Sequence, residues 1–373
     1  MKKTLTLLGL GLLTATAVQA QITINQSSFA GWSAGTDSVR YLTNLTALPA
    51  LPQGPNQTWD LSSINFSAPN AALDYNAGTN AAFPGASFSS ELFFSIGAGI
   101  DLTSNIWWNN AATSLQQPGE TMIRQAYGLG AVTMTNTDSL VFPNQINLYS
   151  TPRTVLQYPA TFGTNWATNY VSETDFQLTV AAFGLNQAPG SRISYNQEVD
   201  TVIGWGKMRL KNAAGTISGY MDVIQVKTHV NSIDSFYING SPAPATMLSA
   251  FGLTQGMETD YFSVAYYRVG EITPLLEVYY NNSNYTSPSS VMAHMLRHAT
   301  PNAILDVNID AAISTFPNPV TTGMFQVTLP ESTGSWTYEL LNTLGQVTAS
   351  GSLEVNGKQA VVATGGAASG TYY

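Results

Sequence analysis

The sequence predicts an all-β protein, with a large antiparallel body that is a sandwich or barrel-like, followed by a small immunoglobulin-like β-sandwich. Apolar and polar residues alternate over many short segments, which is typical of strands with one buried face. Clusters of Gly, Pro and Asn separate those segments, as turns do. Charged residues make up only 9% of the chain. Amide and hydroxyl side chains must therefore provide most of the polar surface. This composition favours sheets over exposed helices.

The body is predicted to span residues 21–300. Its strands follow one another without intervening helical periods, which favours an antiparallel sandwich or barrel. A subdivision near residue 150 is left open. The clearest alternating runs lie at residues 38–42, 90–96, 139–142, 177–181, 207–211, 217–228, 260–269 and 275–280.

One helix is predicted, at residues 290–299, with a serine at its start and Pro301 just after its end. Within it, His294 and His298 are spaced i, i+4 and would share one face. A zinc protease needs Glu directly after the first His as its general base, and here that residue is Met. Because no third ligand is evident, we interpret the two histidines as a polar helix face and predict no metal site.

The first 20 residues predict a secretory signal peptide. Lys2 and Lys3 precede an apolar run at residues 5–18, and Val-Gln-Ala at residues 18–20 supplies a small-residue cleavage site. No later segment approaches the roughly 20 apolar residues of a membrane-spanning helix, so no transmembrane segment is predicted. The chain contains no cysteine, which excludes disulfides and thiolate metal sites.

The charge of the chain argues against nucleic acid as a partner. The formal net charge is −9, and loss of Lys2 and Lys3 with the signal peptide makes the mature chain more acidic. An acidic protein without a basic run repels phosphate backbones and anionic membranes.

A short linker and a second β module are predicted after the body. The linker spans residues 301–312. Its Asp-Val-Asn-Ile-Asp at residues 306–310 begins like a calcium loop, but the Gly and the carboxylate needed at the sixth and twelfth places are missing, so we interpret it as a solvated linker. The module spans residues 313–373, where alternation at residues 325–329 and 336–340 predicts strands.

Several motifs in this module agree in order and spacing with one known family. They are Phe-Pro-Asn-Pro-Val at residues 316–320, Gly323 before an alternating strand, Tyr-Glu-Leu-Leu-Asn at 338–342, Leu-Gly-Gln at 344–346, Gly351, and Ala-Ser-Gly-Thr-Tyr-Tyr at 368–373. With these motifs the module resembles the type A C-terminal sorting domain of the Bacteroidota type IX secretion system.

The resemblance implies an export route. Proteins with this domain are recognised by an outer-membrane translocon and cut by the system's sortase, so we expect passage through the periplasm, then release or attachment at the outer cell surface. In the family a final apolar strand follows the last motif, and we therefore expect the domain to be incomplete at its last strand. The sorting motif falls on Pro317, Asn318, Pro319, Gly323, Leu344, Gly345, Gly370 and Tyr372.

The body resembles, more loosely, an all-β accessory region that accompanies this sorting domain and has no assigned activity. The resemblance rests on residues 54–62, 156–166, 204–210, 223–227 and 274–278. If the phylum is that of the sorting domain, the sequences Asp-Ser-Val, Asp-Ser-Leu and Asp-Thr-Val resemble its periplasmic O-glycosylation acceptors. They begin at Asp37, Asp138 and Asp200.

Three pairs of acidic residues are spaced i, i+2 on predicted strands, so the two acids of each pair face the same side. Glycoside hydrolysis requires two carboxyl groups that act together. Acid pairs on one strand more often simply point to water. The pairs are Glu173 with Asp175, Glu198 with Asp200, and Glu258 with Asp260.

Trp107 and Trp108 are adjacent, so on a strand they face opposite sides, and one of them can be exposed. An exposed indole among amides is suited to stack on a sugar ring. The alternative is that one indole lies in the core and the other under a loop.

These observations predict a secreted or cell-surface protein whose body is a non-catalytic, adhesin-like or glycan-binding protein. The alternative is a secreted polysaccharide hydrolase that uses paired carboxylates. We predict no catalytic residue, no metal and no cofactor.

Overall fold

The computed structural model describes residues 21–66, 69–95, 100–211, 217–295, 314–317, 320, 323–329, 336–342 and 346–364. Contacts between Cα atoms divide the chain into two compact units, Met1–Ala299 and Thr300–Tyr373. The signal peptide, the linker at residues 301–312 and His298 lie outside the described residues.

Strands account for most of the described residues, which confirms the all-β prediction and the sandwich or barrel-like body. Each of the eight alternating runs overlaps a strand. The strands of the first unit are β1 (Thr23–Ile24), β2 (Thr36–Tyr41), β3 (Gly54–Leu61), β4 (Pro69–Ala77), β5 (Phe88–Ser95), β6 (Asp101–Asn110), β7 (Ser114–Met122), β8 (Gln125–Gly128), β9 (Ser139–Phe142), β10 (Gln145–Gln157), β11 (Ala160–Thr161), β12 (Asn165–Val180), β13 (Leu185–Leu210), β14 (Met221–Ile238), β15 (Ser241–Pro242), β16 (Met257–Arg268), β17 (Glu271–Tyr280) and β18 (Pro288–Met295).

Helices in the described part of the chain are short. Two are α-helices, α1 (Gly130–Thr133) and α2 (Ala245–Ala250), and three are 3-10 helices, Gln26–Phe29, Leu45–Ala47 and Ala181–Phe183. Within the described ranges, no helix has the length and apolar character needed to cross a membrane.

The prediction of a helix at residues 290–299 is wrong for the part of this range that the structure describes. Residues 288–295 form strand β18, which pairs with β17 on one side and with β2 on the other. Two ladders of backbone hydrogen bonds outweigh the weak local preference for a helix. His294 is therefore not on a polar helix face. Burial lowers the pKa of its imidazole to about 4, and neither ring nitrogen has a hydrogen-bond partner among the described residues.

One sheet connects most strands of the body. Among the described residues its order is β10-β7-β6-β5-β4-β2-β18-β17-β16-β14-β13-β12-β9-β8, with β3 and β15 attached to β13 and β14. Neighbouring strands are antiparallel except for β3, which runs parallel to the end of β13. The separate pair β1 and β11 is also antiparallel.

The sheet curls so that β10, at one end of the order, lies beside β12, near the other. Side chains, not a backbone ladder, join these two strands. Gln145 donates to the carbonyl of Asp175 at 2.9 Å and accepts from its N–H at 2.8 Å. Further along, the N–H of Val171 donates to Ser150 Oγ at 2.8 Å. We call these contacts the side-chain seam, and they give the body its barrel-like form.

A register shift in β13 decides which side chains face the interior. Before it, Glu198, Asp200 and Val202 are buried on the inner face. The shift lies between Val202 and Gly204, where one extra residue turns the following even-numbered side chains outward. Trp205 consequently joins the inner core, while Met208 packs on the outer face under β3.

Three apolar clusters form the core of the body. The first surrounds Trp166 and Trp205 on the inner face, and the second packs Trp59 of β3 against Tyr266 on the outer face. The third lies around Phe142 and Phe236 and includes residues of α2.

The second unit contains two small sheets in its described residues, β19-β20-β24-β23 and β21-β22, all antiparallel. Pro317 follows β19, and Gly323 precedes β20 with φ of +75°. The other sorting-motif positions, Asn318, Pro319, Leu344, Gly345, Gly370 and Tyr372, lie outside the described residues. The strands are β19 (Ser314–Phe316), β20 (Met324–Thr328), β21 (Trp336–Leu341), β22 (Val347–Leu353), β23 (Val355–Asn356) and β24 (Gln359–Ala363).

Candidate functional site

Three adjacent strands present a regular array of side chains on the outer face of the body. The registers of β13 with β14 and of β14 with β16 align the side chains in rows of three. We call these nine residues the outer patch. Its rows are Tyr195, Ile233 and Glu258; Gln197, Asn231 and Asp260; and Val199, His229 and Phe262.

The outer patch continues the sheet face that carries the second apolar cluster. At one end of that face, Val223 and Val264 belong to the second apolar cluster, and residues before β3, including Leu48 and Leu51, pack against that cluster. At the other end no described segment covers the sheet to the same degree, and Tyr195 and Val199 are 47% and 52% exposed. The open end is therefore accessible to a ligand while the covered end holds its strands in register.

The carboxylates of the outer patch are oriented by neighbouring side chains. His229 Nε2 lies 2.7 Å from Asp260 Oδ1. Asn231 Nδ2 donates to Glu258 Oε1 at 2.7 Å and to Asp260 Oδ1 at 3.2 Å. The hydrogen bonds from His229 and then Asn231 lower the pKa of Asp260. Asp260 consequently stays an ionised acceptor at neutral pH.

Aromatic rings form a stacked ladder at one edge of the outer patch. The imidazole of His229 stacks on Phe262 with 4.7 Å between ring centroids and 14° between planes. Tyr285 meets Phe262 edge-on at 5.7 Å, and the ammonium of Lys227 lies 4.3 Å from the Tyr285 ring centroid. These contacts hold the rings rigidly, so they lose little freedom when a ligand stacks on them.

Glu198 and Asp200, the second predicted acid pair, point into the body. They are 1% and 2% exposed. Arg153 of β10 forms a two-point ion pair with Glu198, at 2.6 Å and 2.8 Å, and also donates to Gln117 Oε1 at 2.8 Å. Both oxygens of Glu198 are thus occupied within the protein. This geometry is that of a buried structural ion pair rather than of an open catalytic cleft.

The surroundings of the Asp200 carboxyl favour its protonated form. Burial, and next the charge of Glu198, raise the pKa of this carboxyl well above its usual range. A hydrogen bond from Thr228 at 2.6 Å opposes the shift without cancelling it. Both acids of this pair are enclosed within the body.

The first predicted acid pair, Glu173 and Asp175, is exposed on β12. Partial burial of the Asp175 carboxyl and then the charge of Glu173 raise the pKa of Asp175. The backbone of Asp175 belongs to the side-chain seam through Gln145. Among the described residues, no group of three or more His, Asp or Glu side chains could hold a metal ion.

Trp107 and Trp108 lie on β6, and both are half-buried. The Trp107 ring stacks with Phe83 at 5.8 Å, and its N–H donates to Thr121 at 3.2 Å. Trp108 packs against the first apolar cluster and donates to Ser90 at 2.8 Å. Each indole has internal partners, and stacking of a glycan on either one stays a prediction.

The three predicted glycosylation acceptors share one arrangement. Asp37, Asp138 and Asp200 are buried, whereas the hydroxyl residues that follow, Ser38, Ser139 and Thr201, are half-buried and lie at the alternate, opposite-facing positions. Their modification stays a prediction.

Sequence analysis identified Glu258 and Asp260 but missed the other members of the outer patch. His229 and Asn231 lie about thirty positions away, on another strand, and only the strand register brings them together. A period-two search for polar residues flanked by aromatics on neighbouring strands could have indicated them. Comparisons with protein-family models, with curated proteins and with solved structures gave no match.

Proposed function

We propose that the mature protein is a non-catalytic glycan-binding protein, adhesin-like and secreted or displayed on the cell surface, and that the outer patch is its binding surface. The observation that carries the proposal is the array of aromatic, amide and carboxylate side chains on an open sheet face. Sugars present both an apolar ring face and hydroxyl groups, so they need this combination of side chains.

The chemistry of the outer patch favours a neutral glycan. Tyr195 and the stacked pair of His229 and Phe262 offer ring surfaces, while Gln197 and Asn231 offer amides that both donate and accept. Glu258 and Asp260 accept hydrogen bonds from hydroxyls. The nine residues include two acids and no Lys or Arg. Acidic glycans would therefore be repelled.

The export part of the proposal rests on sequence resemblance. The sorting motif, with Pro317 and Gly323 among its positions, implies the type IX translocon and sortase as partners. A fusion of residues 301–373 to a reporter, expressed with a signal peptide in a host that carries the system, should move the reporter beyond the periplasm. Retention of the reporter in the periplasm, also after addition of a terminal apolar strand, would refute this route.

Binding of neutral oligosaccharides to the purified protein tests the patch directly. We expect Tyr195→Ala and Asn231→Ala each to weaken binding by roughly tenfold or more, because each removes about 1–3 kcal/mol of contact. Phe93→Ala is the matched control, since Phe93 is an aromatic residue 59% exposed on β5, outside the patch. Equal loss in all three variants, or none in the patch variants, would refute the assignment.

The alternative, a polysaccharide hydrolase, makes a different prediction for the same variants. Release of reducing ends from a neutral polysaccharide, abolished by Glu258→Gln or Asp260→Asn, would establish it. The lowered pKa of Asp260 makes it unsuited to act as the general acid, so in a hydrolase that role would fall to Glu258. We expect binding without hydrolysis.

A further inference from the structure

The third apolar cluster lines a partly open cavity of about 70 Å³. Strands supply one part of its wall, including Phe142, Phe176 and Phe236, and α2 supplies Met247 and Leu248. Fourteen of the sixteen residues around the cavity are apolar. The outer patch contributes none of them, so the cavity is a separate feature of the body.

The two polar residues of the wall are already engaged. Arg192 forms an ion pair with Asp234 at 2.7 Å, and Thr174 Oγ1 accepts from Asn147 at 3.5 Å. Ordered water needs two to four polar partners, and this wall offers too few of them. The cavity is large enough for water by volume, yet by chemistry it is suited to an apolar occupant.

The volume restricts the occupant. An apolar cavity of about 150 Å³ in another protein binds benzene or xenon. A space of about half that volume admits an occupant smaller than benzene. Met247 allows a slightly larger occupant, because its unbranched side chain can change rotamer without leaving the wall. A bare void leaves the atoms around it without contacts, so a molecule that enters gains dispersion energy.

We propose that this cavity is a binding site for small neutral aliphatic molecules. Because Arg192 is paired with Asp234, the wall offers no unbalanced charge to a ligand with a charged head, and the small volume disfavours aromatic rings. Met247 and Leu248, both buried, contribute the part of the wall that belongs to the six-residue helix α2. The proposal does not depend on glycan binding at the outer patch.

Xenon is the probe that tests the site. The full-length protein is labelled with ¹³C at its ten methionine methyl groups, and methyl spectra are recorded under increasing xenon pressure. We expect a saturable shift of the Met247 methyl and smaller, linear changes for the exposed Met134 and Met324. An unchanged Met247 resonance, or a linear response equal to that of Met134 and Met324, would overturn the proposal.

Two substitutions change the cavity in opposite directions. Ala243→Leu adds a side chain at the wall and should abolish the saturable shift, whereas Leu248→Ala enlarges the space and should strengthen xenon binding several-fold. Leu248→Met is the volume-matched control and should behave like the unmodified protein. If Ala243→Leu does not fold, Ala243→Val serves the same purpose. If Ala243→Leu or Ala243→Val folds and the saturable shift persists unchanged, the proposal is overturned.

Discussion

Gly206 marks the place where β3 comes closest to β13. A Cβ atom at this position would lie 2.0 Å from the backbone oxygen of Gln57, a distance that no side chain tolerates. We expect Gly206→Ala to lower the free energy of unfolding by about 2–4 kcal/mol, because the parallel pairing with β3 must move. Urea unfolding followed by circular dichroism measures the change.

Gly128→Ala is the control for this substitution. Gly128 also lies on a strand, but a Cβ there would meet no atom within 4 Å. Its change in stability should stay within about 0.5 kcal/mol. If the two alanine variants were equally stable, close approach of β3 would not be the reason for glycine at residue 206.

Asp200 makes stability depend on pH. Its pKa in the folded protein is raised above the ordinary value of 3.8. Its contribution to stability is therefore fully present below that value, and it is lost as pH rises through the raised folded pKa. We expect Asp200→Asn to be more stable than the unmodified protein at pH 8, by about 1 kcal/mol or more, and to depend less on pH.

Unfolding curves at pH 5, 6.5 and 8 check this expectation. Asp222→Asn is the control, since Asp222 is exposed and its ion pair with Lys207 lies at the surface. A stability of Asp200→Asn that falls with pH as steeply as that of the unmodified protein would show that this carboxyl does not resist ionisation.

At the scale of single elements, β18 shows why local sequence failed. A serine start, a following proline and an i, i+4 pair of histidines all predicted a helix. The structure instead pairs β18 with two strands that lie far from each other in the chain, β17 and β2. A local window of sequence contains no information about those two pairing partners. The long strands β12, β13, β14 and β16 were only partly predicted for a related reason, because their ends depend on neighbours.

The side-chain seam gives a prediction at the same scale. Gln145→Ala removes both hydrogen bonds that join β10 to the backbone of Asp175. We expect a loss of about 1–2 kcal/mol in stability and faster hydrogen exchange at the amides of Asp175 and Val171. Mass spectrometry of exchanged peptides resolves the change.

Gln177→Ala is the comparison for the seam. Gln177 is exposed on β12, where the pairing of the strand with β9 is a backbone ladder. Substitution there should leave both stability and exchange nearly unchanged. Similar exchange in the two variants would mean that the seam does not hold the sheet closed.

At the scale of the whole molecule, composition and alternation were sufficient to predict the β class. Low charge, abundant amides and turn residues all follow from local chemistry. The strand order was not predictable, since β2 pairs with β18 and β3 pairs with β13 through contacts between distant parts of the chain. The outer patch was not predictable either, because its rows are formed only by the registers of three strands.

The chain divides into two compact units between Ala299 and Thr300. We expect a broad-specificity protease to cut first between Thr300 and Thr315 and to leave the body folded. Intact mass and circular dichroism of the product identify the cut. First cleavage within the body, with this segment resistant, would contradict independent units.

Hydroxyl-radical footprinting of the folded protein, with and without a bound neutral oligosaccharide, tests glycan binding at the outer patch most directly. Radical oxidation reports side-chain exposure, and Tyr195, His229 and Phe262 are reactive aromatic positions. We expect protection of these three residues and unchanged oxidation of Trp107, Trp108 and Phe93. Protection at Trp107 or Trp108 with Tyr195 and His229 unaffected would contradict glycan binding at the outer patch.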